Sequence, residues 1–191
     1  MIDIFVTAAV MASAAFNERR GAEVERFNHS FILSTRNDHA AGGNSFAPFP
    51  VTVDARLRPA AETFTEVKRL LAATREDAQR GSGELMELAA GFASNLPSSM
   101  LSRAGRARAA KLDFATSNLR AAPFTLYVAG AEITHMYPVG PLVGTAWNLT
   151  AMSYNGQLYF GLFVDPEAVD DTGELRDDLA AAYRELLESA Q

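Results

Sequence analysis

The sequence predicts an α/β protein of the α+β kind, a mixed sheet with its helices packed on one face. Three observations point there. Apolar residues recur at helical spacing near both ends and between residues 59 and 95. Segments rich in Thr, Val, Tyr and Phe fill residues 26–55 and 112–164. No Pro/Gly/Ser-rich linker divides the 191 residues, so residues 1–191 read as a single domain. With 48% hydrophobic and 21% charged residues, the chain is not a disordered polymer.

Each element has a local signal. Asp3 reads as an N-cap before Ile4, Phe5, Ala8, Ala12, Ala15 and Phe16, and Gly21 falls where a helix-ending glycine belongs. Residues 3–20 therefore read as an Ala-rich helix with one face buried. Ala12-Ser13-Ala14 imitates a signal-peptidase site, but Asp3 is the one early charge and a secretory leader needs a positive start. The run is also too short to span a bilayer.

Residues 26–35 and 46–55 read as strands, joined by a turn-rich loop over 36–45. Pro48 and Pro50 mark the second strand as edge-like. Pro59 opens a helix that runs to about Gln79, Gly81-Ser82-Gly83 breaks it, and a second helix ends near Asn95. A third helical piece is expected over 97–110. Strands follow at 112–119, 124–128, 132–137 and 145–154. Asn155-Gly156 then marks a two-residue hairpin turn, with a return strand at 157–164. Asp171 and Glu174 resemble a capping box. Leu175, Leu179, Tyr183, Leu186 and Leu187 make the closing helix amphipathic.

The net charge of −6 argues against a nucleic-acid-binding protein. From Asp165 onward nine acidic residues face two basic ones, so the excess sits on the last helix and its lead-in. Arg103, Arg106, Arg108 and Lys111 form a loose basic cluster, either a solvated helix end or a contact for phosphate or lipid headgroups.

The absence of cysteine excludes disulfides, thiol catalysis and Cys-based metal sites. His29, His39 and His135 share no ligand spacing, and each reads as structural or exposed; no metal is expected. No nucleophile elbow, Walker A loop or dinucleotide fingerprint occurs. What stands out is polar residues on strands: Thr116, Ser117 and Asn118 end one, and Asn148, Thr150 and Ser153 stud another. Buried polar groups need partners, so these serve either sheet-to-loop hydrogen bonding or a ligand tunnel. The stretch Tyr137–Gly144 reads as a stiff turning loop whose glycines admit close approach.

At these residues the chain resembles the C-terminal part of the bacterial wax ester synthase/acyl-CoA:diacylglycerol acyltransferase family. The segments that carry the resemblance are Asp113–Leu119, Leu126–Ala131, Tyr137–Leu142, Asn148–Thr150, Ser153–Leu158, Gly161 and Asp165-Pro166. Upstream, Ser34–Arg36 and Gly42–Phe46 add to it. The resemblance implies one half-domain of the chloramphenicol-acetyltransferase type, with the active site between two such halves. The catalytic HHxxxDG motif belongs to the N-terminal half, where its histidine takes the proton of an alcohol that attacks an acyl thioester. This sequence has neither an HH nor a DG pair. It also carries Ile2 where the family has Asn before Asp3, and the family's SNxPGP turn stands here as Ser117–Pro123 without its glycine.

The resemblance nominates Asp3, Ser117, Asn118, Gly140, Pro141, Asn148, Ser153, Tyr154 and Gly156 as motif or tunnel residues, none of them catalytic. It implies no cofactor, acyl-CoA being a substrate of the complete enzyme. The expected partner is an N-terminal half carrying HHxxxDG, with self-association and an acyl-lipid ligand as further expectations. The expected location is cytoplasmic, at most peripheral to membrane or lipid inclusions. Two other readings stay open: a non-catalytic module that binds acyl lipid or protein, and an inactive remnant.

Overall fold

In the computed structural model, residues 2–34, 46–56, 58–93, 111–142 and 144–189 are described, with backbone only for 33, 34, 46–48 and 78–93. The expected loop over 36–45 and helical piece over 97–110 lie outside the described residues.

The chain begins with α1 (Ile2–Arg19), followed by β1 (Arg26–Ser34), β2 (Phe46–Asp54) and the long α2 (Ala60–Ala93). β3 (Phe114–Arg120), the two-residue strands β4 (Tyr127–Val128) and β5 (Ala131–Glu132), β6 (Trp147–Tyr154) and β7 (Gln157–Val164) follow, and α3 (Thr172–Glu188) closes the chain. Among the described residues, five strands form one sheet in the order β2-β1-β3-β6-β7. β1, β3 and β6 are mutually parallel, and β2 and β7 run antiparallel at the two edges. The architecture is the mixed α/β sheet with helices that the sequence predicts.

The register sorts side chains onto two faces, because strand residues alternate. Phe27, His29 and Phe31 of β1 line up with Phe114 and Thr116 of β3, Trp147 and Leu149 of β6, and Leu162 and Val164 of β7. This is the helix-covered face. Its apolar members join Val6, Ala9, Val10, Val67, Leu71, Leu175 and Leu179 in one core cluster. Phe114 stacks on Trp147 with ring centroids 4.5 Å apart.

α1 departs from expectation. Every residue from Phe5 to Ala14 is buried, so the helix is enclosed all round rather than on one face. It is flanked by α2 and α3 and rests on the sheet. Its sequence offers only Thr7 and Ser13 as polar residues in that span, the composition of a buried helix. Asp3 lies inside its first turn instead of capping it, and pairs with Arg75 of α2 at 3.0 Å.

Gly81-Ser82-Gly83 does not break α2, which runs through to Ala93. A glycine costs only about 1 kcal/mol in a helix interior, less than flanking turns of good formers supply. The expected strands at 124–128 and 132–137 shrink to β4 and β5, which pair only with each other. Part of that segment is held by side chains instead: Leu126 N–H and the Ile133 carbonyl meet the Tyr154 hydroxyl, and the Thr134 carbonyl meets that of Tyr159. Asn155 (φ +46°) and Gly156 (φ +75°) form the expected hairpin turn. The Asp171 carboxylate accepts from the Glu174 amide at 2.8 Å. The other half of the capping box is not made that way: Glu174 pairs instead with Arg19 (2.5 Å) and Arg20 (2.7 Å). These arginines hold its carboxyl below the ordinary range. In α3, Leu175, Leu179 and Leu186 are buried, but Leu187 is exposed.

Candidate functional site

Parallel β1, β3 and β6 all end at one edge of the sheet. α1 begins there, since Phe5 meets Phe160 of β7 at 5.6 Å, and α3 ends there, since Tyr183 meets both rings. Ligands of open α/β sheets bind at this carboxyl end of the strands. Large apolar side chains are left exposed here: Ile4, Leu119, Leu158 and Phe160 at the rim, and Leu187 at the end of α3.

The uncovered face of the sheet carries the polar residues. Ser117 of β3 lies beside Thr150 of β6, and Thr150 beside Gly161 of β7. Asn148 sits two residues back on the same face. Thr150 donates its hydroxyl proton to Asn148 Oδ1 at 2.7 Å, and all three polar side chains are buried. Residues 121–142 cross this face as a strap, with Gly140 directly over Asn148 and Thr150.

The strap is tied down at several points. Leu126 N–H donates to the Tyr154 hydroxyl at 2.8 Å, and that hydroxyl donates to the Ile133 carbonyl at 2.8 Å. The Tyr159 hydroxyl donates to the Thr134 carbonyl at 3.2 Å. The Pro138 carbonyl lies so close over Gly161 that a side chain there would strike it. Gly140 is equally confined: a Cβ would fall on Asn148 Oδ1 and Thr150 Oγ1. Both glycines are needed for space and not for a left-handed backbone. Beyond these ties the strap presents Phe124, Tyr127, Val128, Tyr137 and Val139 to solvent, Val139 at 79% exposure.

Of the nominated residues, the structure brings Ser117, Gly140 and Asn148 together, with exposed Pro141 next to Gly140 and Tyr154 holding the strap farther along. Asn118 is exposed at the end of β3, Ser153 is half-buried with its carbonyl accepting from Ala121 N–H, and Gly156 is in the hairpin turn. Asp3 lies across the sheet on the helix side. Gly161 and Tyr159 were not nominated, yet they seat the strap. A glycine among the aromatics of Leu158–Phe163 was the available signal.

Elsewhere the chemistry is structural. His29 is fully buried, with Nε2 at 2.9 Å from Thr116 Oγ1 and burial lowering its pKa to about 3. His135 is exposed beside the Tyr137 and Tyr159 rings, and His39 is outside the described residues. Among the described residues no group of His, Asp and Glu could hold a metal ion. A cleft of about 600 Å³ lies at the opposite end of the sheet, lined by Asn17, Glu18, Glu25, Arg26, Asp54 and Arg56. It contains none of the nominated residues, and its mixed charges do not suit an acyl chain. No described helix is long and apolar enough to cross a membrane.

Residues 42–187 match the WS/DGAT C-terminal domain, wax ester synthase/diacylglycerol acyltransferase. The chain belongs to this family. Two Mycobacterium tuberculosis relatives named as diacylglycerol O-acyltransferases, from two strains, are 38% identical to it over 73 residues. That stretch is 38% of this chain and 14% of each relative. Among solved structures, a wax ester synthase/diacylglycerol acyltransferase from Marinobacter aquaeolei VT8 superposes with a TM-score of 0.72 at 18% identity, covering 98% of this chain and 43% of that chain. The starter condensation domain of rhizomide synthetase superposes with a TM-score of 0.53 at 16% identity, over 98% and 41%. These likenesses show the fold, and this WS/DGAT domain spans less than half the length of each solved chain.

Proposed function

We propose that the chain works as the C-terminal half of an O-acyltransferase that moves acyl groups from acyl-CoA to diacylglycerol or a long-chain alcohol. In that reaction an alcohol oxygen attacks the thioester carbonyl, a C–O bond forms and the C–S bond breaks, while a histidine takes the hydroxyl proton and passes it to the sulfur of the departing CoA thiol. The sequence has no HHxxxDG motif, so the reading assigns that histidine to a separate N-terminal half and expects this chain to be inactive alone. The observation that carries the reading is the apolar carboxyl end, with Leu119, Leu158 and Phe160 exposed, next to the buried row of Ser117, Thr150 and Asn148 on which Gly140 packs. Exposed apolar side chains at the carboxyl end suit an acyl chain, which must be kept from water, and the buried polar row fixes the strap beside them.

The test is co-expression with an N-terminal half carrying HHxxxDG, assayed for complex formation and for wax ester or triacylglycerol. The expected result is a complex whose activity exceeds either half alone. No complex and no product with any such half would overturn the reading.

The exposed Phe124, Tyr127, Val128 and Val139 favour a second reading, a non-catalytic module that docks a protein or an acyl lipid. Light scattering and titration with acyl lipid separate the two, and a monomer that binds no acyl ligand would argue against this alternative.

A further inference from the structure

The two edges of the sheet are built differently. In β1–β2 the residue pairs alternate between those that exchange backbone hydrogen bonds and those that do not. The Asn28 carbonyl accepts from Asp113 N–H, so the even-numbered residues of β1 turn their backbone groups toward β3 and the odd-numbered ones toward β2. Ser30 and Ile32 lie opposite Pro50 and Pro48, and these prolines therefore stand where the N–H would point outward. The β2 edge lacks donors where a further strand would need them, a common way to prevent edge pairing.

β7 has no such protection. Tyr154 and Gln157 close a two-residue hairpin and form a hydrogen-bonded pair, so Tyr159, Gly161 and Phe163 also point their backbone groups at β6. Leu158, Phe160, Leu162 and Val164 point theirs outward. Among the described residues β7 pairs with β6 alone. Residues 157–164 contain no proline and no charge, and Leu158 and Phe160 are more than a third exposed.

We infer that the outer edge of β7 pairs with β7 of a second copy of this chain, antiparallel about a two-fold axis at Gly161. In that register Leu158 lies opposite Val164 of the other copy, and Phe160 opposite Leu162. Every outward N–H then meets an outward C=O, giving one ten-stranded sheet. The array is its own complement, and an uncharged strand sets no like charges opposite each other. The pairing also covers the exposed parts of Leu158 and Phe160. It does not depend on the acyltransferase reading, because it uses neither the strap nor the polar row.

The test is light scattering of the 191-residue chain from about 1 to about 100 μM, with hydrogen exchange at both extremes. Expected are a concentration-dependent rise to twice the monomer mass and a parallel rise in protection at the amides of 158, 160, 162 and 164. Leu158→Lys should weaken the dimer by about tenfold or more, and Leu158→Pro should do the same by removing an outward donor. Circular dichroism checks that both variants fold, while Thr52→Lys on the β2 edge should leave the dimer unchanged. A monomer at every concentration overturns the inference. So does equal protection of the four amides at every concentration, which would mean that the chain already covers its own edge. Equal dissociation by Thr52→Lys also overturns it.

Discussion

Gly161→Ala perturbs the point where backbone meets backbone. The added Cβ would strike the Pro138 carbonyl oxygen, with the Pro138 carbonyl carbon at 3.2 Å and the Phe163 ring at 3.1 Å. A side-chain tip could rotate away, but a carbonyl in a confined loop moves only with its chain. Relief requires a strap displacement of about 1 Å, and overpacking of this kind costs about 1–3 kcal/mol. The ties at risk are the Tyr154 and Tyr159 hydroxyl bonds, each worth about 1 kcal/mol net. The helix-covered core is on the other side of the sheet, so the loss should appear mainly as opening of the strap. Hydrogen exchange is the suitable assay, because the Leu126 amide donates to the Tyr154 hydroxyl. Its exchange should quicken about tenfold or more, since 1.4 kcal/mol is a factor of ten, while core amides of β3 and β6 hold. Unchanged exchange at Leu126, with β3 and β6 equally unaffected, would refute the close approach as the reason for glycine.

Three further outcomes are expected. Burial lowers the His29 pKa to about 3 from 6.5, so the unfolded chain binds a proton between those values that the folded chain does not. Stability is then complete above pH 6.5 and falls by about 1.4 kcal/mol per pH unit toward pH 3, a slope that His29→Gln should flatten in urea titrations. The Tyr183 hydroxyl is buried without a partner among the described residues, and burial raises its pKa. Tyr183→Phe should therefore leave stability unchanged or raise it by up to about 1 kcal/mol, and a clear loss in urea midpoint would reveal a partner. Asp171→Ala removes the bond to the Glu174 amide and should cost about 1 kcal/mol, read by thermal melting.

The alternating strands, the Asn155-Gly156 turn and the closing helix were legible because each rests on local chemistry. β2 was legible as an edge from Pro48 and Pro50. The continuity of α2 through Gly81-Ser82-Gly83 was not, since helix propensity is a small term beside tertiary packing. Nor was the full enclosure of α1, although its shortage of polar residues was visible, because enclosure depends on α2 and α3 arriving from far along the chain. The polar row was half-legible. Ser117, Asn148 and Thr150 could be picked out as polar residues on strands, but their alignment requires the parallel β3–β6 register, which no local signal encodes. The strap reads as two strands because its Thr, Tyr and Val content is that of a sheet, whereas Leu126 N–H and the Ile133 and Thr134 carbonyls pair with tyrosine hydroxyls.

The enclosure of α1 bears on how the protein is made. The helix leaves the ribosome before α2 and α3, yet Arg19 meets Glu174, 155 residues further on, and Phe5 meets Tyr183. His29 likewise waits for Phe114 before β1 gains its parallel neighbour. Contacts this distant in sequence close slowly. An apolar segment whose partners follow it in the chain is exposed until they are made, which makes the nascent chain a natural client of a holding chaperone until α3 emerges.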